Sequence, residues 1–185
     1  MEYFDICDKY GRPTGKVVSR ADAHKEGILH RTAHVWIVRK SPKGYDILLQ
    51  KRSMDKDSYP GFYDTSSAGH IPAGDEPLDS ALRELFEELG IKGEKEDLAF
   101  AGTFHIEFEA VFHGVPFRNN EFTFVYVYKK SVDEKDLTLQ ESEVEEVKWF
   151  DMDEVWNGGK LDRNRFCVPT EGLRILRSYL KRTHP

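Results

Sequence analysis

Apolar residues along the chain follow two different periods, and the changes of period divide it into elements. YFDIC and KVVSR are short apolar-rich runs separated by DKYGRPTG, a set of turn formers, which predicts a β-hairpin within residues 1–20. The next segment, RADAHKEGILHRT, is expected to be short and helical or irregular, and it carries His24 and His30. AHVWIVRK and YDILLQKRS, separated by the turn SPKG, are rich in β-branched, aromatic and aliphatic residues and read as two buried central strands. MDKDSYPGFYDTSSAGH has no period and contains Pro60 and Gly61, so a loop is expected there.

From Asp75 the period becomes helical. Leu78, Ala81, Leu82, Leu85, Phe86 and Leu89 recur at helical spacing and predict a helix over 76–89, with Asp75 at or near the N-cap, Pro77 in the first turn and Gly90 ending it. LAFAGTFHIEFEAVFHG and NEFTFVYVYKK then alternate like paired strands. VKWFDMDEVWNG reads as a strand running into a short helix, and PTEGLRILRSYLKR predicts a C-terminal helix over 168–182. Strand outweighs helix and no βαβα alternation occurs. The expected class is therefore α/β (α+β), with helices packed on a mixed sheet. No long linker interrupts the chain, so residues 1–185 are expected to form one domain, with 1–30 as an N-terminal hairpin extension.

Composition narrows the functional classes. Apolar residues make up 39% and aromatics 12%, enough for a packed core. The formal net charge of -6 argues against binding a nucleic acid polymer, which needs phosphate neutralisation, but leaves room for a small phosphorylated ligand. Cys7 and Cys167 lie far apart with no CxxC, which suits a reducing, cytoplasmic setting. The first residues show no basic segment followed by an apolar one, and no apolar run reaches membrane-spanning length, so no membrane partner is expected. The N-terminal hairpin is a candidate arm of a homodimer.

The chemistry concentrates in AGHIPAGDEPLDSALRELFEELGI, residues 68–91, which holds six acidic residues. On a helix, Glu84, Glu87 and Glu88 share a face, with Cβ atoms about 5–6 Å apart. Like charges at that spacing repel, and acidic groups near a helix C-terminus cost about 0.3–1 kcal/mol each against the dipole. Arg83 is adjacent in sequence but expected on another face. A divalent cation would relieve the repulsion, and hard oxygen ligands suit Mg²⁺ or Mn²⁺. Charge alone is equally consistent with a solvated acidic face.

A resemblance decides between these. Gly69, Asp75, Arg83-Glu84-Leu85, Glu87-Glu88 and Gly90-Ile91 resemble the Nudix box, G-x5-E-x7-R-E-U-x-E-E-x-G-U with U aliphatic, at eight of nine defined positions. Asp75 is the departure, where the family usually has Glu. The resemblance implies an α/β/α sandwich and metal-dependent attack of water on a diphosphate. It also implies that Glu84, Glu87, Glu88 and the Gly69 carbonyl bind Mg²⁺ or Mn²⁺, that Arg83 orients a glutamate and that Asp75 supports the site from behind.

A second resemblance covers roughly residues 1–155. GFYDTSSAGH, ILHRTAHVWIV and His24 are similar to the Nudix branch that contains isopentenyl-diphosphate isomerase and its hydrolase relatives. Isomerases of that branch carry a catalytic cysteine before Gly-His, where this chain has Ala68, and a degraded box, where this one is intact. The isomerases' metal-holding histidines are matched by His24, His30 and His70, which are candidates for phosphate contact or a second metal. Their Glu-Asn-Glu pattern aligns with Asn119-Asn120-Glu121, making Glu121 a candidate catalytic carboxylate. Arg31, Lys51 and Arg52 flank the predicted central strands and are candidate phosphate contacts, while Trp36, Phe62 and Tyr63 are candidate pocket aromatics with core packing as the default. His34 is expected to be a strand residue without a chemical role, and His105, His113 and His184 follow no pattern. The expected function is hydrolysis of a diphosphate linkage in a nucleoside diphosphate derivative or other small diphosphate. Isopentenyl-diphosphate isomerisation and non-catalytic diphosphate sensing are the alternatives.

Overall fold

The computed structural model describes residues 2–161 and 165–183. β1 (Tyr3–Cys7) and β2 (Pro13–Ser19) pair antiparallel as the expected hairpin. α1 (Arg20–Glu26) follows directly, its first turn capped by the Ser19 side chain, which accepts the Asp22 N–H. The apolar side of the hairpin is used within its own chain: Phe4 is fully buried and clusters with Val18 and Ala23.

The main sheet contains β3 (His30–Ser41), β4 (Gly44–Arg52), β5 (Tyr63–Asp64), β6 (Ser67–His70), β7 (Leu98–Phe112), β8 (Val115–Tyr128) and β9 (Val144–Asp151). β3 is its hub. It pairs antiparallel with β4 and β6 and parallel with β8, so the sheet is mixed. β4 also pairs with β5 and β9, and β7 completes the far edge against β8.

Side chains alternate between the two faces of a strand, and here each face meets helices. Val35, Ile37 and Leu48 cluster with Leu85 and Leu89 of α2 (Pro77–Leu89). Trp36, Ile47 and Leu49 cluster with Leu173, Leu176 and Leu180 of α4 (Thr170–Thr183), and α3 (Met152–Leu161) adds Met152 and Val155 to the same side. The result is the expected α/β/α sandwich.

Several local expectations need correction. β3 begins at His30, so His30, Arg31 and Thr32 are strand. The expected loop contains β5 and β6, polar strands too short to show alternation. Asp75 does not cap α2: Glu76 occupies the cap without a side-chain bond, and the Asp75 carboxylate accepts from Arg83 instead. Gly90 ends the helix as expected, at φ 73, with its N–H on the Phe86 carbonyl. Phe86 is 50% exposed and leaves the apolar stripe, because neighbours on a helix point about 100° apart and Leu85 already faces the sheet.

Candidate active site

A cavity of about 280 Å³ opens at the β6 and β8 end of the sheet, and Gly69, Glu84, Glu87 and Glu88 line it. Glu88 is buried, and its Oε2 accepts three hydrogen bonds: Ser67 Oγ at 2.7 Å, the Ala68 N–H at 3.1 Å and Gln50 Nε2 at 3.3 Å. Its Oε1 accepts none among the described residues. Burial first, then the neighbouring Glu84, push the Glu88 carboxyl up to about 8. Glu84 is also raised, burial outweighing the Arg83 hydrogen bond. Gly69 leaves room for the Glu84 carboxylate, which a Cβ there would displace.

Arg83 is not off the acid face. It donates to Glu84 Oε1 at 2.8 Å, Asp75 Oδ2 at 3.1 Å and the His70 carbonyl at 3.2 Å, and its Nε lies 3.8 Å from Glu87 Oε2. The long stem and five donors of a guanidinium let it reach round the helix. Asp75, short as it is, reaches the same guanidinium that bonds Glu84.

Beside the box lies a second cluster. His24 on α1, His30 on β3, His70 on β6 and Glu121 on β8 each offer one ligand atom, all within 4.8 Å of one another. His24 Nε2 is 3.1 Å from His70 Nε2, and Glu121 Oε1 is 3.5 Å from His70 Nε2 and 3.8 Å from His30 Nε2. His30 Nδ1 donates to the Ile28 carbonyl at 2.7 Å, which leaves the Nε2 lone pair bare. Phenyl rings fix the imidazoles: Phe4 stacks on His30 at 4.9 Å and on His70 at 4.6 Å, and Phe117 stacks on His24 at 4.3 Å. Burial and the neighbouring imidazoles lower His24 to about 3, and burial lowers His30, so both rings are neutral and free to ligate. Burial tends to raise the Glu121 carboxyl, but the hydrogen bond and charge of His70 outweigh it and hold it well below the carboxylate range.

The histidine cluster could hold a cation: among the described residues His24 Nδ1 and His30 Nε2 are buried ring nitrogens without hydrogen-bond partners. Glu88 is a buried carboxylate whose proton is held by burial and by the neighbouring Glu84. The oxygen donors of the box suit Mg²⁺ or Mn²⁺, whereas three imidazoles favour a transition ion.

Residues 29–167 match the NUDIX domain. The chain belongs to the Nudix family. It is 44% identical over 158 residues to Nudix hydrolase 3 of Arabidopsis thaliana, which covers 84% of this chain but only 20% of that protein. It is 36% identical over 178 residues to an uncharacterised Nudix hydrolase of Clostridium acetobutylicum, covering 94% of this chain and 84% of the relative. An isopentenyl-diphosphate Delta-isomerase of Dinoroseobacter shibae is 32% identical over 145 residues, 78% of this chain and 74% of the isomerase. In three dimensions the chain resembles DR0079 of Deinococcus radiodurans, with a TM-score of 0.68, 15% identity and coverage of 96% and 99% of the two chains, a likeness of fold.

The Nudix cavity receives some of the sequence candidates and not others. Arg52 lines it, paired with Asp64 at 3.1 Å. Arg31 is absent from the lining: it bonds Asp5 at 2.8 Å and the Asp75 carbonyl at 3.0 Å, tying the hairpin to the box. Lys51 is absent as well and pairs with Glu145 at 2.7 Å. Both miss for one reason: each directly adjoins a strand residue that faces the cavity, and adjacent strand residues face opposite ways.

Trp36 and Tyr63 are core residues and Phe62 does not reach the cavity; Tyr59, Phe108 and Phe117 form its aromatic wall. Sequence reasoning missed that wall, as it missed Lys56 and Arg20. Lys56 pairs with Glu143, and Arg20 with Glu2 at 3.0 Å. His34, set aside in the sequence, lines the cavity. So does Cys167, distant from Ala68 in sequence, with its thiol pushed far above the usual range by burial. His105 and His113 bond Asn120 and the Lys56 carbonyl at exposed positions, and His184 lies outside the described residues. No helix among the described residues is long and apolar enough to cross a membrane.

Proposed function

We propose that this Nudix hydrolase cleaves a diphosphate linkage in a nucleoside diphosphate derivative or another small diphosphate by attack of water at phosphorus. The observation that carries the reading is that Glu84, Glu87, Glu88 and Gly69 share one cavity with His70, Glu121, Arg52 and Lys56. Glu84, Glu88 and the Gly69 carbonyl would hold a divalent cation, which would neutralise charge on the phosphoryl oxygens and acidify the attacking water. Arg83 keeps Glu84 in place, and Ser67, Ala68 and Gln50 do the same for Glu88. Carboxylates of the set accept the proton of the attacking water. Arg52, Lys56 and Arg20 bring positive charge to the cavity, so a bound phosphate competes with the carboxylates that now pair with them.

One observation favours isomerisation as a second reading: the His24–His30–His70–Glu121 cluster, in a chain related to isopentenyl-diphosphate isomerases. Against it stands Ala68, a methyl where the isomerase resemblance implies a thiol. Cys167 also lines the cavity, with its thiol pushed far above the usual range by burial, which disfavours a thiolate base there.

The test is a panel of nucleotide and prenyl diphosphates incubated with Mg²⁺ or Mn²⁺. Phosphate release lost in Glu84→Gln and Glu88→Gln supports hydrolysis at this site. Conversion of isopentenyl to dimethylallyl diphosphate without phosphate release overturns it in favour of the isomerase. Binding across the panel without turnover makes the protein a sensor.

A further inference from the structure

His34 is a polar side chain of the cavity to which the proposed chemistry gives no task. His34 is buried on β3 yet lines the cavity. Its Nδ1 lies 3.5 Å from Thr65 Oγ1, and its ring meets Phe104 edge to face at 5.8 Å. Its Nε2 makes no hydrogen bond among the described residues, and it is not one of the polar atoms sealed without a partner, as His24 Nδ1 and His30 Nε2 are. That nitrogen is therefore open to whatever occupies the cavity.

The strand register says what it would meet. His30 stands opposite Glu121, Thr32 opposite His70 and His34 opposite Ala68. Directly opposed residues project to the same face, so the imidazole stands beside the methyl of Ala68, which offers no polar group. Same-face positions along a strand are about 6.6 Å apart, roughly the end-to-end length of a diphosphate. A diphosphate with one end at the row of His70 thus reaches the row of His34 with the other.

We infer that His34 is a substrate contact, hydrogen-bonding through Nε2 to an oxygen at the end of the diphosphate remote from the His30–Glu121 pair. In the tautomer in which Nδ1 accepts from the Thr65 hydroxyl, Nε2 carries the ring proton and donates, as an anionic oxygen requires. The inference rests on the reading of the substrate as a diphosphate.

The test uses the whole protein, Mg²⁺ and methylenediphosphonate, a diphosphate analogue that is not hydrolysed at its bridge. Ring-nitrogen NMR identifies the His34 signals by their absence in His34→Phe. The expected result is that the Nε2 signal moves on binding and that His34→Phe weakens binding about tenfold or more, with melting temperature and bound metal unchanged. His34→Asn, which keeps a donor, restores part of the affinity and serves if the Phe variant fails to fold. An unmoved signal, or analogue binding within twofold of wild type in both variants, overturns the assignment. Hydrolysis with an unmoved signal sinks only the His34 contact. A moved signal without hydrolysis of any diphosphate sinks only the hydrolase reading. Failure of the wild type to bind the analogue sinks both.

Discussion

The cavity has two walls that differ in how they are built. The box wall comes from one short strand and one helix: Gly69 on β6 and Glu84, Glu87 and Glu88 on α2, with Arg83 and Asp75 behind them. The histidine wall is collected from four elements, α1, β3, β6 and β8, and is steadied by phenyl rings from β1 and β8. One wall is charged, oxygen-rich and locally encoded. The other is made of three imidazoles around one carboxylate and is brought together only in the folded chain. The contrast teaches that two walls of one cavity can depend on very different parts of a sequence.

Substitutions can break that contrast. The largest effect is expected from Glu88→Gln, which should reduce phosphate release by about a thousandfold, since electrostatic stabilisation at the reacting group is lost. His30→Gln should instead act first on bound transition metal, measured by elemental analysis, with at least tenfold weaker retention. Equal loss of Mg²⁺-dependent hydrolysis and of retained metal in both variants would show the walls to be one site.

Phe4→Ala comes next. Removing a fully buried phenyl should cost about 3–5 kcal/mol in urea unfolding. Because Phe4 stacks on His30 and His70, it should also weaken metal retention while sparing the Arg83–Glu84 geometry. Unchanged retention in the folded variant would show that the stack does not position the imidazoles.

Acidity separates the walls by sign. In chelator-treated protein, Glu88 has a folded pKa of about 8, raised above its ordinary 4.5, so its contribution is full below pH 4.5 and lost as pH rises to 8. His24 is lowered from 6.5 to about 3, so its contribution is full above pH 6.5 and lost as pH falls to 3. Stability of the metal-free protein should therefore decline on both sides of a maximum near pH 5–6, by a few kcal/mol at each extreme. Glu88→Gln should flatten the alkaline side alone in unfolding curves taken from pH 4 to 9. A variant that flattened the acid side instead would reverse the assignment.

The smallest effect is expected at Lys51. Its partner Glu145 is exposed and neither residue touches the cavity, so Lys51→Ala should change stability by less than about 1 kcal/mol and leave turnover unaltered. A raised KM would return Lys51 to the list of phosphate contacts.

The two walls were also unequally legible. α2 and its acids could be read because periodicity, proline, glycine and spacing all lie within one short stretch. The histidine wall offered only scattered residues, joined by resemblance and by nothing in their spacing. Arg31, Lys51 and His34 were misplaced for want of one rule. On a strand only every second residue shares a face, so His30, Thr32 and His34 belong together and Arg31 does not. The aromatic wall gave no usable signal, since Phe108 and Phe117 alternate like any other strand residues and come near Tyr59 only through the fold.

The parallel pairing of β3 with β8 bears on the order in which the molecule assembles. Thr32 and Thr123 bond across it at 2.8 Å although they are 91 residues apart in sequence. Such distant pairing must close a long loop before it gains anything, which makes it slow compared with hairpins and helices. His30 and Glu121 face each other across the same seam. A nascent chain can thus complete its acidic helix early, while the histidine wall must await one of the slowest joins. Uptake of a transition ion would then time the end of folding, and spectroscopy of that ion would follow the closing of the seam.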